Sequence, residues 1–459
     1  LIYSELLFFL GVLPVSVLLS FFDRSAEYKN LILILTSVVF LSWGKPLYVL
    51  LIFSTVIAEY ALGLGISALR KKSSPAAAAL LLADLLMNAG VFLLYAHNYI
   101  FPDSSKLHLG ASLIPIGAGY YTAKGFSYAF DVYTGKCRAE KNIFCLMTYM
   151  VSFHFLMAGP VVRYGDTEPY IRKRSIGGKA LSDGLSRLVF GLGKIVILAQ
   201  AFHRISVSGL EGREASVIGS WLGMAAFLAE CWFSFTGLCD MAKGLGLMNG
   251  FDYEENYRDI SFGELMTGYL KSANTTLVKL FSDVLGRAPG SGNAFIAGAG
   301  ALIGCVLIAL WYHISRMYLL VGLALGALLL LERLFLSKLL GKLPAALKAV
   351  YVLLFSHIIL GGLYFDSFSD HKHWVGTLFG RGAAGLMTDS FGKTLLANIW
   401  LVAAAFICAC APVRKALGGL LARAGKSSSQ AYTAVSVIKT VFTAALLVVC
   451  VITLAAEAA

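Results

Sequence analysis

The sequence predicts an all-α integral membrane protein, a polytopic bundle of roughly 11–13 helices matched to about 30 Å of hydrocarbon. Three observations predict it. Apolar residues make up 58% of the chain and charged residues 14%, against about 25% charge in soluble domains. The mean hydropathy is +0.76. Long, nearly uncharged stretches recur along the whole length, and the basic residues gather in the short connectors between them.

Taken in order, apolar runs fall at 2–22, 30–44, 46–69, 76–97, 111–130, 142–162, 184–203, 216–239, 294–312, 317–336, 346–365, 394–411 and 431–454. They form a single polytopic domain over 1–459, with N-terminal spans in 1–110, a core holding the candidate site in 111–340 and C-terminal spans in 341–459. Some runs are expected to be re-entrant or interfacial rather than spanning. No soluble domain of any size fits between them, so the chemistry belongs inside the membrane or at its face. The first run has no basic n-region and no small-residue cleavage pattern behind it, so it reads as a retained span and not as a cleaved signal.

The net charge of +12 has an ordinary source. Basic residues cluster at Arg70-Lys71-Lys72, from Arg163 to Lys179 and from Arg414 to Lys426. Short loops rich in Lys and Arg stay in the cytoplasm. That rule places the N-terminus, the loop Asn98 to Gly110 and the C-terminus outside, and the lipid bilayer is the partner it implies. A nucleic-acid partner is excluded, because the charges are scattered among membrane turns. The eight cysteines form no C-x-x-C pair and lie mostly in apolar segments. They read as free, buried thiols, with no metal site.

His313 interrupts the apolar run from Ala294 to Leu331, in the sequence Leu310-Trp311-Tyr312-His313-Ile314-Ser315-Arg316. As one helix this run would reach roughly 57 Å, against about 30 Å of hydrocarbon. The helix must therefore break near His313, or two helices must meet there. A titratable ring in such a place is costly to desolvate and marks a candidate functional site. The alternative is that His313 and Arg316 mark a short loop at the membrane edge. Both readings are open on the pattern alone.

Two further stretches are more polar than a lipid-facing helix tolerates. In Leu113–Tyr164, Pro115, Gly117 and Gly119 loosen the helix, and Lys124, Ser127, Tyr128 and Asp131 follow. Helix breaks at membrane depth survive only where protein or a watery cavity covers them. Lys124 and Asp131 share a face two turns apart, which leaves a buried ion pair open. In Phe233–Ser291, Asp240 and Lys243 stand one turn apart, where an i,i+3 pair is possible. The continuation is amphipathic, with Leu270, Leu277, Leu280 and Phe281 apolar between polar residues. It reads as an interfacial or cavity-lining helix. His154 reads as a satisfied core histidine, and His371 and His373, in Asp370-His371-Lys372-His373-Trp374, as part of a surface loop.

Here the chain resembles a family. LIYSELLFFLGVLP, LIPIG, SYAFDVYTGKCRAEKN, AGPVVRY and FSFTGLCDMAKGLGLMNGFDYEEN occur in that order and spacing. Together they are similar to the membrane-bound O-acyltransferases, and above all to the bacterial membrane subunits of alginate O-acetylation and teichoic-acid D-alanylation. The likeness covers most of the chain. It implies helices arranged around a central tunnel, in the bacterial cytoplasmic (inner) membrane.

The catalytic motifs depart from the family pattern. The family shows W-R-R-W-H-I-S-L-S on its amphipathic helix. With about four extra residues upstream, close to one helical turn, Asn274 takes the place of that His and Leu277, Phe281 and Asp283 stay in step. The second motif, L-W-H-G followed by Gly and E-R, matches Leu310-Trp311, Gly322, Gly326 and Glu332-Arg333. Its His falls on Tyr312, and His313 comes one position later, a turn of about 100° around a helix axis. A third motif ends on Asp366, where the family usually carries Arg.

The resemblance implies acyl transfer from a cytoplasmic thioester, acetyl-CoA or an acyl carrier, to a hydroxyl delivered from outside, with no bound cofactor. The acyl group implied is acetyl, and the acceptor a cell-surface polysaccharide or its export partner. His313 is then the general base, and Asn274 polarises the thioester or steadies the oxyanion. Lys124, Asp131, Arg163, Asp240 and Tyr312 shape the cavity or the donor entrance. An extracytoplasmic acyltransferase partner is a further expectation. The motif departures keep a second reading open: an inactive relative acting as a scaffold or partner subunit.

Overall fold

The computed structural model describes residues 11–22, 25–42, 47–100, 118–156, 161–212, 214–259, 264–286, 294–426 and 429–458. Among these residues no strand forms, and the all-α membrane fold is borne out. Seven helices are long and apolar enough to cross a membrane, or eight if one bent pair counts as a single span. The chain divides into two compact units, Leu1–Leu188 with Leu238–Asn256, and Val189–Gly237 with Tyr257–Glu457.

The first unit contains α1 (Leu13–Phe22), α2 (Ala26–Ser42), α3 (Leu47–Leu69), α4 (Ser74–Ile100), α5 (Ala118–Thr134), α6 (Ile143–Val151), α7 (Phe153–Leu156) and α8 (Tyr164–Arg172). Helices α3 and α4 are apolar on nearly every face, as helices surrounded by lipid and other helices must be. Gly63 lets α3 approach α5: a Cβ there would lie 2.7 Å from the Tyr128 ring. The run expected as one span over 142–162 is broken. Asn142 caps α6, accepting a hydrogen bond from the Phe144 amide at 2.9 Å. The chain leaves the helix at Ser152, where ψ is 114°, and the Phe153 amide turns to donate to Ser37 Oγ at 3.1 Å. Pro115 and Gly117, expected to loosen this region, lie outside the described residues.

Helix α9 (Gly178–Leu210) and helix α10 (Val217–Met248) each run from one unit's residues into the other's. In the first unit they touch backbone to backbone, since a Cβ on Gly184 would lie 2.7 Å from the Gly244 carbonyl oxygen.

The second unit continues with α11 (Met266–Leu270), α12 (Thr275–Leu285), α13 (Ala294–Tyr312) and α14 (Arg316–Leu340), the last with a π-helical stretch at Glu332–Leu336. Helices α13 and α14 form a tight hairpin. Gly322 and Gly326 make that possible, because a Cβ on either would come within 2.9 and 2.6 Å of the α-carbons of Val306 and Leu302. Met266, Val321, Leu325, Leu328 and Val352 pack into one apolar core beneath it.

Beyond lie α15 (Ala345–Gly361), α16 (Phe368–Leu378), α17 (Asp389–Ala397), α18 (Ile399–Ala409), α19 (Ala411–Lys426) and α20 (Ser429–Ala458). The run expected at 394–411 bends by 57° between α17 and α18. Residues 370–374, expected as a surface loop, belong to α16. Ser367 caps that helix through the Asp370 amide, and Trp374 is buried against Met224 and Leu378.

Candidate active site

Two helices meet at His313. Helix α13 ends at Tyr312, the His313 amide still donates to the Ala309 carbonyl at 3.3 Å, and Ser315 caps α14 by accepting from the Tyr318 amide. His313 thus lies in the turn of the α13–α14 hairpin, exposed, with its ring 5.1 Å from that of Tyr318. The two spans account for the over-long apolar run, and the polar residues at 313–316 supply the turn.

Asn274 is held differently. It is the only residue other than glycine with a positive φ among the described residues, at φ 50° and ψ 47°. This left-handed conformation costs most side chains about 1–2 kcal/mol, and Asn is among the few that adopt it. It places Asn274 at the start of α12 without using its side chain as a cap. The amide is buried, and its Nδ2 donates to the Tyr312 hydroxyl at 3.1 Å. The last side chain of α13 and the first residue before α12 are therefore joined through one polar contact, immediately next to His313.

Two clamps fix the approach to Asn274. Ala273 bridges to Tyr257, and the Arg258 amide donates to the Ser272 carbonyl at 2.9 Å. The Arg258 guanidinium then grips Glu264 at 2.6 and 2.8 Å and the Gly268 carbonyl at 2.8 Å. On the other side the buried Glu332 carboxylate accepts from the Met266 and Thr267 amides at 3.0 and 2.9 Å, and from the Thr267 hydroxyl. Tyr351 adds a longer bond at 3.4 Å. A carboxylate there satisfies the open amides at the start of α11. Sequence reasoning used Glu332 only as a register mark. Its signal as an anchor was a carboxylate late in an apolar run.

The other expected cavity residues belong to the first unit. Asp131, nearly fully buried, pairs with Arg163 at 2.5 Å. Lys124 does not pair with Asp131. It is wholly buried and donates to the Tyr149 and Met150 carbonyls, with its ammonium 4.5 and 4.4 Å from the Tyr149 and Phe155 ring centres. Asp240 pairs with Arg187 at 2.8 Å and not with Lys243, which turns to Asp252 and the Tyr253 carbonyl. Arg187 also reaches Glu255 at 2.6 Å. Arg187 was not picked out from the sequence, although a lone guanidinium early in an apolar run marked it.

Other histidines separate from this picture. His154 is buried among Phe155, Phe251 and Tyr253, and among the described residues neither ring nitrogen finds the hydrogen-bond partner expected of a satisfied core histidine. In α16, burial beside Phe365 and Trp374 holds the His371 imidazole below its usual 6.5.

The chain is similar to "Probable alginate O-acetylase AlgI" of Pseudomonas syringae pv. tomato, 25% identical over 391 residues that cover 83% of this chain and 74% of the relative. Its counterpart in Pseudomonas fluorescens is 26% identical over 404 residues, covering 87% and 77%. A "Peptidoglycan O-acetyltransferase" of Helicobacter pylori is 24% identical over 289 residues, 54% of each chain. The chain is related to the membrane-bound O-acyltransferases. No family model matches it. The start of α12 and the α13–α14 turn are joined by the Asn274–Tyr312 bond. The apolar helices make the chain a multi-pass membrane protein suited to a lipid bilayer.

Proposed function

We propose that this protein is a membrane-bound O-acyltransferase that moves an acetyl group from a cytoplasmic thioester to a hydroxyl of a cell-surface polysaccharide, or to the export partner that carries it. The observation behind this reading is the buried, left-handed Asn274, whose amide meets Tyr312 one residue before His313. Strained, buried polar residues cluster at functional sites, and with about four extra residues upstream the resemblance assigns this one to the family's first catalytic motif. The named relatives acetylate alginate or peptidoglycan, which supports acetyl transfer to a polysaccharide.

In the proposed reaction, neutral His313 takes the proton of the acceptor hydroxyl as its oxygen attacks the thioester carbonyl. The new C–O bond forms and the C–S bond breaks, and the leaving thiolate takes the proton back from the imidazolium. The Asn274 amide steadies the developing oxyanion or orients the thioester. Tyr312 serves the wall of the site beside Asn274 and His313. The donor is acetyl-CoA or an acyl carrier, the site is in the bacterial inner membrane, and the N-terminus faces outward.

One observation favours a second reading, an inactive scaffold subunit. The family's histidine position is filled by Tyr312, and its hydroxyl is already engaged by Asn274. Purified full-length protein, given acetyl-CoA or an acetylated carrier and a polysaccharide acceptor, separates the two. Release of free thiol with ester gain on the polymer is expected. Absence of both, with surface-polymer acetylation still dependent on the gene in cells, would establish the scaffold instead.

A further inference from the structure

Helices α3 and α4 carry one acidic residue each in the middle of their apolar runs. Glu59 is the central residue of the span Val49–Leu69, and Asp84 is at the middle of Ser74–Leu93. Each carboxyl stands roughly 15 Å from either end of its apolar span, the least hospitable depth for a charge. Both side chains are buried, at 1% and 0% exposure, and Asp84 stands one turn before Asn88, on the helix face whose amide meets Glu59.

The pair has one amide neighbour. Asn88 Nδ2 donates to Glu59 Oε1 at 2.8 Å and to the Asp84 carbonyl at 3.1 Å. Among the described residues, Glu59 Oε2 and both Asp84 carboxyl oxygens have no hydrogen-bond partner. From α5, Gly125 leaves room for the carboxyl: a Cβ there would lie 2.1 Å from Glu59 Oε1.

Among the described residues, the groups on the surrounding helices supply no positive charge to the pair. On α5, Tyr128 accepts from the Glu140 amide, and the Lys124 ammonium is turned to the Tyr149 and Met150 carbonyls. On α6, the Tyr149 hydroxyl donates to the Val162 carbonyl. On α2, Lys29 donates to the Arg174 carbonyl.

Two adjoining carboxylates cannot both stay ionised in such a place, because each raises the cost of the other's charge and no cation offsets it. A proton between them supplies the missing donor and removes one charge. We propose that Glu59 and Asp84 form an intramembrane proton-binding site, with at least one proton held between the two carboxyls at neutral pH. Glu59 accepts from Asn88, and Asp84 carries the proton toward Glu59 Oε2. The pair titrates as a unit.

Infrared difference spectroscopy of the purified full chain tests this directly. Subtracting the Glu59→Gln/Asp84→Asn double variant from the wild type at neutral pH should leave the carbonyl stretch of a neutral carboxylic acid, shifted in D2O. A difference confined to carboxylate bands would overturn the proposal. So would loss of the neutral band on adding sodium chloride, which would assign the site to a monovalent cation. Asp84→Asn alone copies the protonated Asp84 in shape and guards against misfolding of the double variant. It should elute and melt as the wild type does, and a collapse of that variant would show that Asp84 needs its charge, which would overturn the proposal.

Discussion

The first unit's Asp131–Arg163 pair and the second unit's Asn274–Tyr312 contact solve the same problem in opposite ways. Each buries a polar side chain among membrane helices. Asp131 is met by a full positive charge at 2.5 Å, whereas Asn274 is met by a neutral hydroxyl at 3.1 Å. An ion pair holds two elements together and leaves little capacity for chemistry, since separating its charges is costly. A neutral amide and hydroxyl beside an exposed imidazole can exchange partners, polarise a carbonyl and accept a proton without leaving a bare charge behind. The difference assigns a structural role to the first contact and a chemical one to the second. Arg187 with Asp240 and Glu255 repeats the structural pattern.

Three single substitutions and one double variant test that contrast, and a fourth single substitution probes His371. The largest effect is expected at the turn. His313→Ala should lower acyl transfer by about 10²- to 10⁴-fold, with unchanged expression and melting. Full activity in that variant would move the base elsewhere. Next comes the first unit, where Asp131→Asn removes the carboxylate charge that faces the partly buried Arg163 guanidinium. It should lower stability by about 3–5 kcal/mol, and adding Arg163→Met should recover much of the loss. A melting temperature indifferent to Asp131→Asn would end the structural reading of the pair.

A smaller effect is expected for Tyr312→Phe, which deletes one neutral hydrogen bond worth about 0.5–1.5 kcal/mol. It should change turnover a few-fold and leave melting nearly intact. If the Asn274–Tyr312 bond instead locks the site shut, the same variant should gain activity, which the turnover assay reads directly. The smallest effect concerns His371. Its imidazole is held below the usual 6.5 by burial, so the unfolded chain binds more protons than the fold between the two values. That part of the stability is complete above about 6.5 and is lost as pH falls. His371→Gln should flatten the fall in melting temperature on the acid side.

Much of the fold was legible because the bilayer imposes a simple rule on length and polarity. The break near His313 followed from arithmetic, since no single helix of the length from Ala294 to Leu331 fits one bilayer. The amphipathic helix after Asn274 followed from the spacing of Leu277 and Leu280. The break at Ser152 was not legible. Residues 142–162 are apolar enough for one span, and the interruption depends on the Phe153 amide finding Ser37, 116 positions away. The loop expected around His371 is a helix because Trp374 finds an apolar seat, which a local reading of its polar neighbours does not register.

By itself, the sequence determined the membrane class of this protein, the places where helices must stop and the side chains able to do chemistry, because hydropathy and spacing are local properties. Only the tertiary structure decided how the charges are partnered. Lys124 takes backbone carbonyls, Asp131 takes Arg163, Asp240 takes Arg187, and Glu59 is left facing Asp84. Spacing along one helix offers each charge a nearby candidate. Inside a membrane protein, the partner that matters is the one another helix brings within reach, since an unpaired charge there costs more than any local preference can offset.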